Sequence, residues 1–183
     1  RQDQPNDLHG VILGGGVALV DRPLGLSVRT QSNGASTTII MSRAINNRFT
    51  YMTDSGREGV ANPKTDRVIE LQLPKIYRTN VSRYSRVIAN MAFAETSQQR
   101  VERLDQLARD LTDPAKATTT ALRLEAIGDE AVPTLKRALN NPDREIRFAA
   151  AETLAYCGHA DGLATLTEMA ADVPAFRRAA LTA

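Results

Sequence analysis

Apolar positions along the chain fall into two regimes. Up to about residue 95 they switch between a period of two and a period near 3.6, and beyond it only the helical period remains. Leu24, Leu26 and Val28 alternate with Gly25, Ser27 and Arg29, which predicts a half-buried strand. A helix is predicted over residues 35–49, entered through Asn33-Gly34, with Ile40, Met41, Ala44, Ile45 and Phe49 on one broad face. Ile69, Leu71 and Leu73 then alternate with Val68, Glu70 and Gln72 in a second strand, which Pro74 ends because it has no N–H for a ladder. Residues 59–67 before it have room for a short strand and a turn. A second helix is predicted over residues 80–93. Asn80 is its N-cap, and Val81, Tyr84, Val87, Ile88 and Met91 form its apolar face. The order strand, helix, strand, helix predicts a small α/β unit over residues 1–95, with both helices on one face of a sheet.

Residues 96–183 read as helix throughout, and they repeat. AAAETLAYCG (residues 149–158) aligns with TTALRLEAIG (residues 119–128) at an offset of 30, and the same offset carries Ile146-Arg147 onto Phe176-Arg177. A period near 30 in helical sequence means stacked helical hairpins, each burying its face on the next. The run AVPTLKRALNNPDREIRFAAAETLAYCG (residues 131–158) resembles bacterial HEAT-type repeats. Its first helix opens at Val-Pro, its turn carries Asn-Pro-Asp, and its second helix is rich in alanine and stops at glycine. An upstream helix with Val101, Leu104, Leu107 and Leu111 and a partial third copy give about three hairpins. The expected class is α+β: the α/β unit followed by an all-α HEAT-like array.

Composition narrows the function. The chain has 183 residues, 4% aromatic and without tryptophan, which removes a base-stacking surface from consideration. Net charge is +2, with 12 basic against 8 acidic residues up to residue 95 and 11 against 13 beyond. Neither part carries a polyanion footprint, so nucleic acid is not an expected partner. No apolar run reaches 18 residues, so no membrane span is expected. The opening without Met or signal sequence and the close within a helical pattern read as a piece of a longer protein.

Chemistry is sparse. VILGGGVALV (residues 11–20) lacks the third spaced glycine of a dinucleotide loop and the Gly-Lys-Ser/Thr of a Walker loop, and a strand-like run follows it instead of a helix. A tight turn between two apolar strands is the reading that fits. Gly56-Arg-Glu-Gly59 matches the four-residue loop by which KH domains clamp a nucleic-acid backbone. That loop joins two helices, whereas this one runs from a helix toward a strand, so it reads as a loop tip. His9 and His159 have no partner at ligand spacing, and His159 reads as a solvated turn residue. The single cysteine, Cys157, sits at a position equivalent to Ile127 and reads as a packed thiol. No catalytic, cofactor or metal residues are expected, and the chain does not read as an enzyme.

Residues 9–95 resemble the bacterial flagellar P-ring proteins. GVILGGGVALVDRPL (residues 10–24), the helix ending RAINNRF (residues 43–49), VIELQLP (residues 68–74) and a helix ending VIANM (residues 87–91) carry the resemblance. It implies a structural protein of the periplasm and the flagellar basal body, copies of which assemble into a ring around the rod beside the outer-membrane ring. The helical half is no part of that family's plan. It implies a further, unidentified protein partner, which HEAT-type arrays meet with the second helix of each hairpin. The candidate partner-binding residues are therefore Arg144, Arg147 and Glu152 on the second helix of the central hairpin, and Arg78, Arg83 and Arg86, a small basic patch at the second α/β helix. Two other readings stand beside the ring component: a HEAT-like protein-binding scaffold outside the flagellum, and a KH-like nucleic-acid-binding module.

Overall fold

A computed structural model describes residues 23–29, 35–54 and 56–183. The glycine run in residues 11–20 and His9 lie outside the described residues. The first strand, β1 (Leu24–Ser27), is followed by helix α1 (Ala35–Arg48). Strands β2 (Thr50–Thr53), β3 (Gly56–Gly59), β4 (Ala61–Pro63) and β5 (Val68–Leu71) come next, then a short 3-10 turn (Lys75–Tyr77) and helix α2 (Val81–Ala89). Only helices follow: α3 (Ser97–Asp110), α4 (Pro114–Ile127), α5 (Val132–Ala138), α6 (Arg144–Tyr156), α7 (Leu163–Asp172) and α8 (Pro174–Thr182).

The sheet is antiparallel in the order β1-β5-β4, with Leu26 opposite Ile69 and Leu24 opposite Leu71. Ile69 and Leu71 point from one face of β5 into a core shared with Ile45 and Phe49 of α1 and Tyr84, Val87 and Ile88 of α2. Both helices therefore cover one face of the sheet, as the alternation in β5 requires. Among the described residues, the outer edge of β4 is closed without another strand. Asn46 of α1 donates Nδ2 to the Ala61 carbonyl (2.8 Å) and accepts the Ala61 N–H on Oδ1 (2.7 Å). A side-chain amide carries the donor and acceptor of a peptide group, so it can take the place of a strand neighbour.

Four sequence expectations change. Gly56–Gly59 is not a loop tip: it forms β3, paired with β2 in a separate hairpin. A KH clamp needs a loop between two helices, and a paired strand cannot supply one. The buried face of α1 is rotated from the predicted one, with Ile40 46% exposed while Thr38 and Ser42 are buried. Helix α2 ends at Ala89, because Asn90 leaves helical geometry and its Nδ2 bonds back to the Arg86 carbonyl. Val81 and Val101, both placed on apolar faces, are exposed.

The helical half is three stacked hairpins, α3–α4, α5–α6 and α7–α8. The period of 30 appears as repeated local chemistry. Asp113 and Asp143 cap α4 and α6, accepting N–H groups at 3.0 and 2.8 Å. Gly128 and Gly158 follow those helices with φ of +89° and +82°, a backbone region glycine enters without strain. At the equivalent place before α8 stands Val173, which provides no side-chain cap. Leu107, Leu111, Leu124, Leu135, Ile146 and Leu154 fill the space between the hairpins, and the alanines Ala121, Ala149 and Ala150 let α4 and α6 approach closely.

Two glycines of the central turn differ in what they tolerate. A Cβ at Gly162 would stand 2.6 Å from the Ala151 carbonyl oxygen, whereas one at Gly158 meets nothing within 4 Å but is strained by its positive φ. Gly158→Ala is expected to cost about 1 kcal/mol from backbone strain alone. Gly162→Ala is expected to cost more, about 1–3 kcal/mol, by pushing α7 off α6. Thermal unfolding of the two variants checks this order.

Candidate functional site

The functional geometry centres on one buried cluster between the two halves of the chain. Helix α2 lies against α4, and Arg83 projects from α2 toward the second helices of the first two hairpins. Its Nη2 is 2.6 Å and its Nε 3.0 Å from Glu125 Oε2 of α4. Its Nη1 is 2.5 Å from Glu152 Oε2 of α6, and Nη2 also donates to Thr153 Oγ1 at 3.3 Å. The side chains of Arg83 and Glu125 are 8% and 0% exposed. This is a forked guanidinium held between two helices of successive repeats.

Tyrosines complete the cluster. Tyr77 donates its hydroxyl to Glu125 Oε1 (2.8 Å) and stacks on Tyr156 at 5.2 Å between ring centroids. Arg83 lies over the Tyr156 ring at 4.3 Å, and Asn80 donates Nδ2 to the Tyr156 hydroxyl. From α1, Arg48 donates Nε to the Glu125 carbonyl (2.9 Å) and Nη2 to Cys157 Sγ (3.5 Å). Every polar side chain of this cluster thus has a partner, which burial demands.

The electrostatics follow from that burial. Burial works against the Arg83 charge, but the attraction and hydrogen bonds of Glu125, then those of Glu152, more than offset it and raise its pKa. Arg83 is a permanent cation. Burial raises the Glu125 pKa, and Arg83 and Tyr77 act to lower it. The Tyr77 hydroxyl is raised by burial first and by the Glu125 charge second, so it stays a donor. Burial also pushes the Cys157 thiol up to about 11, with the Arg48 charge opposing.

Placed on this geometry, the predicted contact residues separate. Arg83 does not belong to a surface patch: it is buried and committed to two carboxylates. Glu152 is likewise held by Arg83, with its side chain 13% exposed. Arg147 is partly buried and spends Nη1 on the carbonyls of Asn141 and Pro142. Arg78, Arg86 and Arg144 stay exposed. The physical reason is that α4 and α6 form a wall on which α2 rests, so a side chain of α2 facing that wall meets protein. Glu125, Tyr77 and Tyr156 were not among the predicted residues. The available signal was a lone carboxylate in the apolar run ALRLEAI, which calls for a cation once both flanks are buried.

The repeat geometry of the helical half agrees with one comparison. It combines capping aspartates thirty residues apart, positive-φ glycines thirty residues apart and three stacked hairpins. Residues 101–183 match the family model for HEAT repeats. No curated protein and no solved structure matches the chain. In this array, equivalent turn positions also meet across repeats, as His159 Nε2 lies 3.4 Å from Asp129 Oδ1, so His159 is paired at its turn. Among the described residues no group of His, Cys, Asp and Glu is arranged to hold a metal, and no helix is long and apolar enough to cross a membrane.

Two predictions follow from the cluster. Arg83→Met leaves Glu125 buried without its cation and is expected to cost about 3–5 kcal/mol. The double variant Arg83→Met with Glu125→Leu removes both charges and is expected to recover a large part of that loss; urea unfolding midpoints measure both. Cys157, partly exposed, has its thiol raised from about 9 to about 11. Its alkylation by iodoacetamide at pH 8 is expected to be slow, with roughly one thiol in a thousand ionised, and to rise about tenfold per pH unit toward 11. Because its folded pKa is the higher, the thiol's contribution to stability is present below pH 9 and lost as pH climbs through 11.

Proposed function

We propose that this chain is a non-catalytic protein-binding scaffold. The observation that carries the reading is the HEAT array of residues 101–183, stacked as hairpins with its second helices aligned on one side. Such arrays present extended surfaces rather than enclosed reaction sites. Part of that side is taken by the α/β half, through Arg83, Tyr77 and Tyr84. The remaining contact surface carries Arg86 and Arg144, with Arg78 at the turn before α2. These are exposed cations with long stems, suited to an acidic or mixed protein surface. Affinity capture with the intact chain is the direct test. The reading expects a specific protein partner whose recovery falls at least tenfold with Arg78→Glu and Arg144→Glu combined; equal recovery with wild type and variant contradicts that surface.

A finer reading is proposed for the α/β half: a component of the periplasmic ring of the flagellar basal body, meeting copies of itself, the rod and the outer-membrane ring. Its support is the order of four short motifs between residues 10 and 91. Two of these motifs have a physical role in this fold, since Asn46 closes the β4 edge and Ile69 and Leu71 fill the core. On this reading the chain works in the periplasm. Deleting the gene is expected to abolish the ring and swimming motility; a deletion strain that swims with complete basal bodies contradicts it.

A further inference from the structure

The second helices α4 and α6 pack closely through their alanines, while the first helices α3 and α5 meet far less. A groove of about 410 Å³ opens between α3 and α5, a volume that accepts a few side chains of a partner. Ala108 of α3 and Thr134 and Ala138 of α5 line it and are half-buried, so their methyl groups stay open to an incoming apolar side chain. Arg109 stands on the α3 rim and Arg137 on the α5 rim, both exposed. No acidic residue is among the described residues that line the groove.

The two arginines hold equivalent places in successive repeats. Leu-x-Arg-x-Leu occurs at residues 107–111 and again at 135–139. The offset is 28 because the turn between α3 and α4 is two residues shorter than that between α5 and α6. The leucines pack in the core between the hairpins, which leaves each arginine at the rim. Neither arginine meets a carboxylate among the described residues. Arg109 Nη2 donates to Gln106 Oε1 at 2.9 Å, and Arg137 Nη2 donates to Thr134 Oγ1 at 3.2 Å. Both acceptors are neutral, and a guanidinium fork is matched best by a carboxylate. The next pair of repeats answers the same position internally. Glu168, two places after the buried Leu166, stands where Arg137 follows the buried Leu135, and it lies 3.9 Å from Arg147. Thirty residues before Arg147 stands Ala117, which brings no charge to the first pair of repeats.

We propose that this groove binds an acidic segment of a protein partner, with one apolar side chain seated between α3 and α5 and a carboxylate on each of Arg109 and Arg137. The apolar gap selects a side chain, and the uncompensated rim selects negative charge. The described lining holds no aromatic ring, so the groove offers nucleic-acid bases nothing to stack on. Arg109 and Arg137 belong to first helices, whereas Arg86 and Arg144 of the scaffold reading do not. The proposal rests on that reading and adds a second contact region of stated chemistry to it.

The test uses the intact, isotope-labelled chain and three synthetic nine-residue peptides capped at both ends. The first carries a central Leu with two Asp on each side and Gly elsewhere; the second has Lys in place of Asp, and the third has Ala in place of Leu. The expected result is saturable movement of the Ala108, Thr112 and Ala138 amide resonances with the first peptide and none with the second. The third is expected to bind about tenfold more weakly, through the lost apolar burial. Arg109→Gln combined with Arg137→Gln, at two exposed positions, is expected to weaken binding of the first peptide at least tenfold with an unchanged circular dichroism spectrum. Absence of saturable movement at these amides, or equal binding of the Asp and Lys peptides, overturns the proposal. So does binding that the double variant or the loss of Leu leaves unchanged, and so does a single-stranded oligonucleotide that moves the same amides at lower concentration than the first peptide. A partner captured through Arg78 and Arg144 alongside such a failure would retain the scaffold and remove this groove from it.

Discussion

The fold is organised around a carboxylate that cannot reach water. Glu125 sits in the middle of an apolar helix with a fully buried side chain, and its charge requires partners that its own repeat does not provide. Arg83 and Tyr77 supply them from the α/β half, and Arg48 takes the backbone carbonyl of the same residue. A buried pair of this kind adds little to net stability over a well-packed apolar alternative, because desolvation offsets most of the attraction. What it supplies is position. The observed placement of α2 on α4 and α6 pairs the donors and acceptors of the cluster, which ties the sheet-bearing half to the array.

That placement has a consequence for function. On the second-helix side of the array, the chain itself covers the stretch over α4 and part of α6. Phe49, Tyr77, Tyr84 and Tyr156 form one continuous aromatic contact, with centroid distances of 5.2–5.9 Å. The core of the first half therefore runs on into Leu122, Ala126 and Tyr156 of the second. The face left uncovered is the flank beyond α2, with the exposed Arg86 and Arg144 beside it. The fold and the exposed face of the array are set by the same helix.

Legibility in the sequence followed the range of the interactions involved. The strands at Leu24 and Ile69, the Asn80 cap and the thirty-residue repeat depend on neighbours within a few turns, and the periodicity shows them directly. The burial of Thr38 and Ser42 in place of Ile40 depends on which side of α1 meets β3 and β4, which no local pattern contains. The β2–β3 hairpin escaped notice because GREG has no alternation and borrows its order from Thr50 and Tyr51 opposite. Arg83 was legible as a charged residue on α2 but not as a buried one. Its partners are 42 and 69 residues away in sequence, and nothing in the α2 pattern ranks it apart from Arg86.

The central claim is that the two halves form one cooperative body through the Arg83–Glu125 cluster. Three of the four tyrosines precede residue 95, while most of the helix follows it. Urea unfolding of the intact chain, followed by near-ultraviolet tyrosine dichroism and by far-ultraviolet helical dichroism, reports the halves separately. The account predicts coincident transitions with a single midpoint. A helical signal that persists after the tyrosine signal is lost would contradict it.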